Sequence, residues 1–173
     1  VFVTSYWDAT IYEVPHDGDG DIDKLFPEGP NQPLGVVAKD GDVFVADAIM
    51  VRSLEDGQYT QTLLNAWAAE GMPLPLSLAD GPGDNLFWTD AIHGVVAVGN
   101  PFTGTFKPIA GEMDLPVNAV VNPMGGRLYV AEYGAGRVTE INLANGAKST
   151  LAVGLEGPLA MAMIGDVLYV AES

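Results

Sequence analysis

A chain of 173 residues that is 48% hydrophobic can bury one ordinary core, while 23 acidic against 7 basic side chains leave a formal charge of −16. That charge repels nucleic-acid phosphates and anionic membranes and favours cations, basic partners or a salty medium, so neither nucleic acid nor a membrane is expected as a partner. No apolar run approaches the roughly 18 residues of a membrane span, and the absence of cysteine excludes thiol catalysis, disulfides and thiolate metal sites. The compartment stays open, with an extracellular or periplasmic one favoured.

The chain opens on VFVTS (1–5), an apolar, aromatic, apolar, small run of strand type, followed by SYWDAT, TIYEV, an aspartate-rich stretch and IDKLF. QPLGVV around Pro33, the turn KDGD, VFVAD (43–47), MVRSL and YTQTLL come next. The order then recurs as MPLPLSL around Pro73, DGPGDN, LFWTD (86–90), GVVAV and TFKPIA. It recurs again as LPVNAVV around Pro116, NPMGG, LYVAE (128–132), RVTEIN and KSTLAV, and ends on GPLAMAM around Pro158, IGD and LYVAE (168–172). The aromatic members Phe2, Phe44, Phe87, Tyr129 and Tyr169 are spaced 42, 43, 42 and 40 residues apart.

Four short strands in each unit of about 42 residues predict an all-β fold, a β-propeller with four-stranded blades. The expectation is one domain over 1–173 with blade segments 1–30, 31–70, 71–113, 114–156 and 157–173. Three strands of a first unit, three full units and two strands of a last one do not close a ring. They suit a four-blade-equivalent portion of a six-bladed one, whose open edges are expected to drive self-association. Labelling strands A to D outwards from the axis, D-to-A and B-to-C loops share a top face and the other loops a bottom face. Trp88, at a repeat position, is expected in the core.

HDGDGDIDKLFPEG (16–29) sets Asp17, Asp19 and Asp21 at positions one, three and five, and Glu28 at position twelve, of a calcium-loop pattern. Ile22 stands where that loop needs glycine, and Pro27 would break the exiting helix. The run falls between strands C and D, so an acidic hairpin turn is the first reading and a structural calcium site the second. The acids Asp47, Asp90, Glu132 and Glu172 recur once per unit, with Ser5 in their place in the first. Such recurrence points to a shared structural task, accepting backbone hydrogen bonds at a strand end.

On the top face the D-to-A loops carry Glu28, Glu70, Glu112 with Asp114, and Glu156. These acids could concentrate cations and help hold calcium or another divalent cation, although no cofactor is demanded. His93, in DAIHGVV, falls in a top-face loop; a surface histidine is its first reading, and general acid/base work, with Glu156 as the other candidate, its second. Tyr6 and Trp7 in SYWDAT and Tyr133 in EYGAG suit stacking on a small molecule or sugar, alongside Glu70 and Glu112.

The unit P-x-G-V…G-x-L-Y-V-A-[DE]…R-V…I, as in PVNAVVNPMGGRLYVAEYGAGRVTEINLANGAKSTLAVGLEGPLAMAM, resembles the NHL repeat and the related gluconolactonase and regucalcin-like six-bladed propellers. The resemblance covers all 173 residues. It implies a small-molecule-binding or hydrolase-like propeller, acting on a lactone, ester or sugar-derived ligand near the central channel. An enzyme of this group would be a hydrolase or lyase. The alternative is a non-enzymatic scaffold for a protein or polysaccharide. The resemblance also implies a divalent metal at the channel mouth, for which Asn118, Asn31 and Asp114 are the nearest matches. Leu34, Leu74, Val117 and Leu159 follow the four prolines, and Asn118 then aligns with Gly35, Pro75 and Ala160.

Overall fold

The computed structural model describes residues 2–15, 20–24, 32–47, 50–55, 58–62 and 74–173. His16, Asp17, Asp19, Glu28, Asn31 and Glu70 lie outside the described residues. Two compact units form, Val1–Pro75 and Leu76–Ser173.

Seventeen strands occur among the described residues, all in antiparallel meanders. The first sheet is β1 (Phe2–Ser5), β2 (Thr10–Glu13) and β3 (Asp23–Lys24); the second is β4 (Pro33–Lys39), β5 (Asp42–Asp47), β6 (Met50–Glu55) and β7 (Gln58–Thr62). The third sheet, in the second unit from Leu76 on, is β8 (Pro75–Asp80), β9 (Leu86–Asp90), β10 (Val95–Asn100) and β11 (Thr105–Ala110). The fourth is β12 (Pro116–Val121), β13 (Arg127–Glu132), β14 (Arg137–Asn142) and β15 (Lys148–Val153), and the fifth pairs β16 (Pro158–Ile164) with β17 (Val167–Glu172). Short connections of two to five residues join neighbours within the second to fifth sheets, so each repeat folds as one up-and-down sheet, the build of a propeller blade.

Each inner strand begins on a proline, which supplies no N–H where none is needed at a strand's first residue. Pro33, Pro116 and Pro158 pair with Asp47, Glu132 and Glu172, and in each case the register slips by one residue immediately afterwards. This bulge leaves Leu34, Val117 and Leu159 as the extra residue and makes Gly35, Asn118 and Ala160 equivalent. In the third sheet the strand starts at Pro75, not Pro73. Ser77 therefore stands where Asn118 stands, and the alignment of Asn118 with Pro75 expected from sequence is corrected. Hydrogen bonds fix the correction: Ser77 Oγ accepts the Ala119 N–H at 3.3 Å, and Asn118 Oδ1 accepts the Met161 N–H at 2.9 Å. The same step from one blade to the next is made twice.

Packing follows the period-two alternation of the strands. In the first unit Ile11 and Val45, both fully buried, gather Phe2, Val36 and Val43. In the second, Phe87, Val96 and Val98 of the third sheet pack with Leu128, Val130 and Ile141 of the fourth. Ala131 and Val138 of the fourth sheet pack in turn with Met161, Leu168 and Val170 of the fifth. Trp88 is buried as expected, its ring edge-on to Phe106 at 4.7 Å between centroids.

Candidate functional site

The recurring acids act on backbone, as their recurrence implies. Asp47 Oδ1 accepts the Gln32 N–H at 2.7 Å, Glu132 Oε2 the Asp114 N–H at 2.9 Å, and Glu172 Oε1 the Glu156 N–H at 3.0 Å. Each bond ties the end of a second strand to the chain entering an inner strand. The longer glutamates reach two residues ahead of the proline and the shorter aspartate one. In the first sheet Ser5 Oγ instead donates to Asp8 Oδ2 at 2.8 Å, so the carboxylate comes from the loop.

Two of these acids also carry an arginine five residues on. Arg52 Nη1 lies 3.3 Å from Asp47 Oδ2, and Arg137 grips Glu132 with Nε to Oε1 and Nη2 to Oε2, both at 2.8 Å. Thr139 Oγ1 donates to the same Oε1. Burial pushes the Glu132 carboxyl up, but the hydrogen bonds from Arg137, Thr139 and the Asp114 N–H, with the charge of Arg137, outweigh it and hold the pKa below its ordinary 4.5. The bond to Glu132 raises Arg137 in return. This ion pair is a fixed brace.

The third sheet departs from that scheme. Five residues after Asp90 stands Val95, and the basic group comes instead from His93, whose Nδ1 lies 2.6 Å from Asp90 Oδ2. Asp90 Oδ1 accepts the N–H groups of Ile92 and His93 at 3.1 and 3.2 Å, which hold the loop in a tight turn around the carboxylate. The Asp90 side chain is 4% exposed and that of His93 is 24%. A buried carboxylate on Nδ1 holds the ring in one orientation, with Nε2 as the ring nitrogen left for a ligand. A titratable group thus replaces a permanent cation in a B-to-C loop.

The loops around it are locked by backbone. The Met113 N–H donates to Gly94 O at 3.0 Å, and the Leu155 N–H to Gly136 O at 2.9 Å. Gly94 and Gly136 have φ of 62° and 57°, and a Cβ on either would lie 2.3 or 2.5 Å from the carbonyl oxygen of Met113 or Leu155. Only glycine fits there. The Tyr133 and Gly134 N–H groups donate to the carbonyls of Leu115 and Asp114 at 3.0 and 3.1 Å, and the Asp114 carboxylate fills the space that a side chain at Gly134 would need. The Tyr133 ring lies against Gly157. Asp114, Leu115, Tyr133 and the Glu156–Gly157 step therefore form one cluster, adjoined through Met113 and Gly94 by the His93 loop.

Glu112 is exposed beside this cluster with a left-handed φ of 57°. Tyr6 and Trp7 occupy the B-to-C loop of the first sheet, 48% and 92% exposed, ring edge to ring face at 5.6 Å. Asp21 is exposed. Asn118 is engaged at both ends, Oδ1 by Met161 N–H and Nδ2 by Ser77 Oγ at 3.3 Å. No three His, Asp or Glu side chains converge as metal ligands among the described residues.

The arginine partners of Asp47 and Glu132, and the pairing of His93 with Asp90 in their place, are the part of the site that motif reading missed. Their signal was present as R, V and R five residues beyond successive acids.

No family model matches the chain, and no curated protein matches it. Solved structures do. A catalytically inactive histidine-to-alanine virginiamycin B lyase from Staphylococcus aureus, crystallised with quinupristin, superposes with a TM-score of 0.81 at 15% identity over 99% of this chain and 59% of that one. A nidogen/laminin complex gives 0.80 at 19% identity over 95% of this chain and 68% of that one, and a streptogramin B lyase 0.74 at 13% over 92% and 54%. The chain spans less than two thirds of the length of the lyases it resembles. At these identities the likeness establishes the fold, a β-propeller.

Proposed function

We propose that the top-face loops of the third and fourth sheets bind a small molecule and that His93 serves there as general base in lyase-like or hydrolase-like chemistry. One observation carries this reading: at the third sheet the recurring acid holds an imidazole where two other sheets carry an arginine. A structural brace needs no titratable partner, whereas proton abstraction does. In this reading Asp90 orients the ring, Tyr133 stacks on the ligand, and Glu112 and Glu156 at the rim favour a substrate of neutral or positive charge. The crystallised lyase that is inactive after one histidine-to-alanine change supports looking for a histidine-dependent reaction on this fold.

The test is turnover followed by mass spectrometry, with quinupristin, a δ-lactone and a simple aryl ester as probes. The reading expects one probe to be consumed, with loss of at least a hundredfold in rate in His93→Ala and retention of fold by circular dichroism. Consumption that survives His93→Ala, or no consumption of any probe, would count against it.

A scaffold role is the second reading, favoured by the likeness to the propeller of the nidogen/laminin complex. A six-bladed ring is part of the proposal as well. In the fifth sheet Ile164, Val167 and Tyr169 are 70%, 54% and 55% exposed, whereas Phe44 and Phe87, the counterparts of Tyr169, are 1% and 3% exposed. An apolar blade face of that kind calls for cover by a further blade, and an isolated chain that self-associates in light scattering agrees with it.

A further inference from the structure

At the opposite end of the third and fourth sheets from His93, the A-to-B and C-to-D turns enclose a cavity of ≈460 Å³ lined by Phe87, Val98, Lys107, Ile109 and Leu143. A smaller lobe of ≈190 Å³ adjoins it and shares Asn85, Val98 and Lys107. The larger volume alone falls within the roughly 300–1,000 Å³ of clefts that hold small molecules.

The floor is a single row across the third sheet. Phe87 on β9 pairs with Val98 on β10, which pairs with Lys107 on β11, so all three side chains stand on one face. The equivalent row in the fourth sheet is Tyr129, Glu140 and Ser149, and in the second sheet Phe44 pairs with Ser53. The third sheet alone of these sets an apolar residue in the middle and a cation at the rim. Ile109, two residues along from Lys107, lengthens the apolar strip, and Leu143 caps it from the fourth sheet.

One end is closed by contact between turns. Gly125, at φ 74°, lets the fourth sheet's turn rest on Pro82, whose Cγ would lie 2.7 Å from a side chain there. Lys107 makes no ion pair among the described residues, in a chain where acids outnumber basic residues 23 to 7. Asp84, beside Asn85, is engaged by Asn100 Nδ2 at 3.2 Å.

We infer that this cavity binds a small amphipathic monoanion, a carboxylate on an apolar chain or ring. The apolar body lies along Phe87, Val98 and Ile109 under Leu143, and the carboxylate meets the Lys107 ammonium at the rim. A polyanion is disfavoured by the charge of the whole protein, and a cation by Lys107 itself. The site is independent of the His93 loops.

The test titrates the whole chain with decanoate, decanol and decyltrimethylammonium, by calorimetry and by methyl NMR. Decanoate should bind saturably and shift the Leu143 and Ile109 methyl signals, decanol more weakly, and the ammonium compound not at all. Lys107→Glu should weaken decanoate at least tenfold. Val98→Ser, which copies the second sheet, should weaken it several-fold. His93→Ala should leave it unchanged. Equal affinity in Lys107→Glu, binding of the cationic amphiphile as tight as that of decanoate, or no saturable binding would overturn the inference.

Discussion

Glu112→Gly should make the protein more stable although it deletes a side chain in the candidate site. Glu112 and Leu115 hold left-handed φ of 57° and 50°, and the loop one repeat later has Gly154 and Gly157 at 75° and 62° in the same two places. A left-handed L-residue costs about 1–2 kcal/mol, and glycine returns roughly 0.5–1 kcal/mol of that as extra unfolded-state entropy. Glu112 is exposed, so little packing is lost and the net gain is about 0.5–1 kcal/mol. In a chain of this size that is a rise of about 1–4 °C in melting temperature by scanning calorimetry. Glu112→Gln removes the charge and keeps the backbone conformation, so it should recover little of the rise. Leu115→Gly should come out near neutral: the residue is 45% exposed, and loss of its buried half, about 1 kcal/mol, offsets the relief of strain. Gly154→Ala and Gly157→Ala should destabilise, Gly157→Ala more. Its added carbon would lie 2.6 Å from Ser173 Oγ and 2.8 Å from the Tyr133 ring, whereas nothing lies within 4 Å at Gly154. A Glu112→Gly protein no more stable than wild type would refute the reasoning, as would one matched by Glu112→Gln.

Glu132→Gln should destabilise by about 1–3 kcal/mol in urea titration, because it leaves Arg137 and Thr139 with weaker acceptors in a buried network. Since the folded-state pKa of Glu132 is lowered, its contribution is present above the ordinary 4.5 and disappears as pH falls through the lower folded value. Wild type should therefore lose stability more steeply than Glu132→Gln below pH 4.5, and parallel acid profiles would contradict this. Among the described residues Thr89 Oγ1 is buried without a hydrogen-bond partner, where other repeats have Ala46 and Ala131. Thr89→Ala should be neutral or stabilising by up to about 1 kcal/mol in the same titration, and a loss above about 2 kcal/mol would mean a partner had been missed. Asn118→Ala strands the Met161 N–H and should cost about 1–2 kcal/mol; faster amide exchange at Met161 would report the broken link.

The blade period was legible because each sheet is a local meander, and its strand order, turns and recurring acid are written within about 42 residues. Less legible was whatever depends on contact between repeats. MPLPLSL holds two prolines two residues apart, and both give the same local pattern. Only the link from Ser77 to Ala119 selects Pro75 as the strand start. The left-handed conformations of Glu112 and Leu115 were hidden behind residues that do not announce them, although Gly154 and Gly157 stand 42 residues later. The Phe87, Val98 and Lys107 row needed the register of three strands before it existed as a surface. His93 was visible as a top-face histidine, but its meaning rests on comparison with Arg52 and Arg137, which show what the repeat puts on its acid elsewhere.

The tautomer of His93 is the measurement closest to the central claim, that the third sheet uses its recurring acid to set an imidazole for proton transfer. Long-range ¹⁵N–¹H spectra of the neutral protein, with the His93 signals assigned against His16→Gln, read which ring nitrogen carries the hydrogen. The account predicts Nδ1–H in wild type, held on Asp90 Oδ2, and loss of that preference in Asp90→Ala. A predominant Nε2–H form in wild type, or a tautomer indifferent to Asp90→Ala, would contradict it.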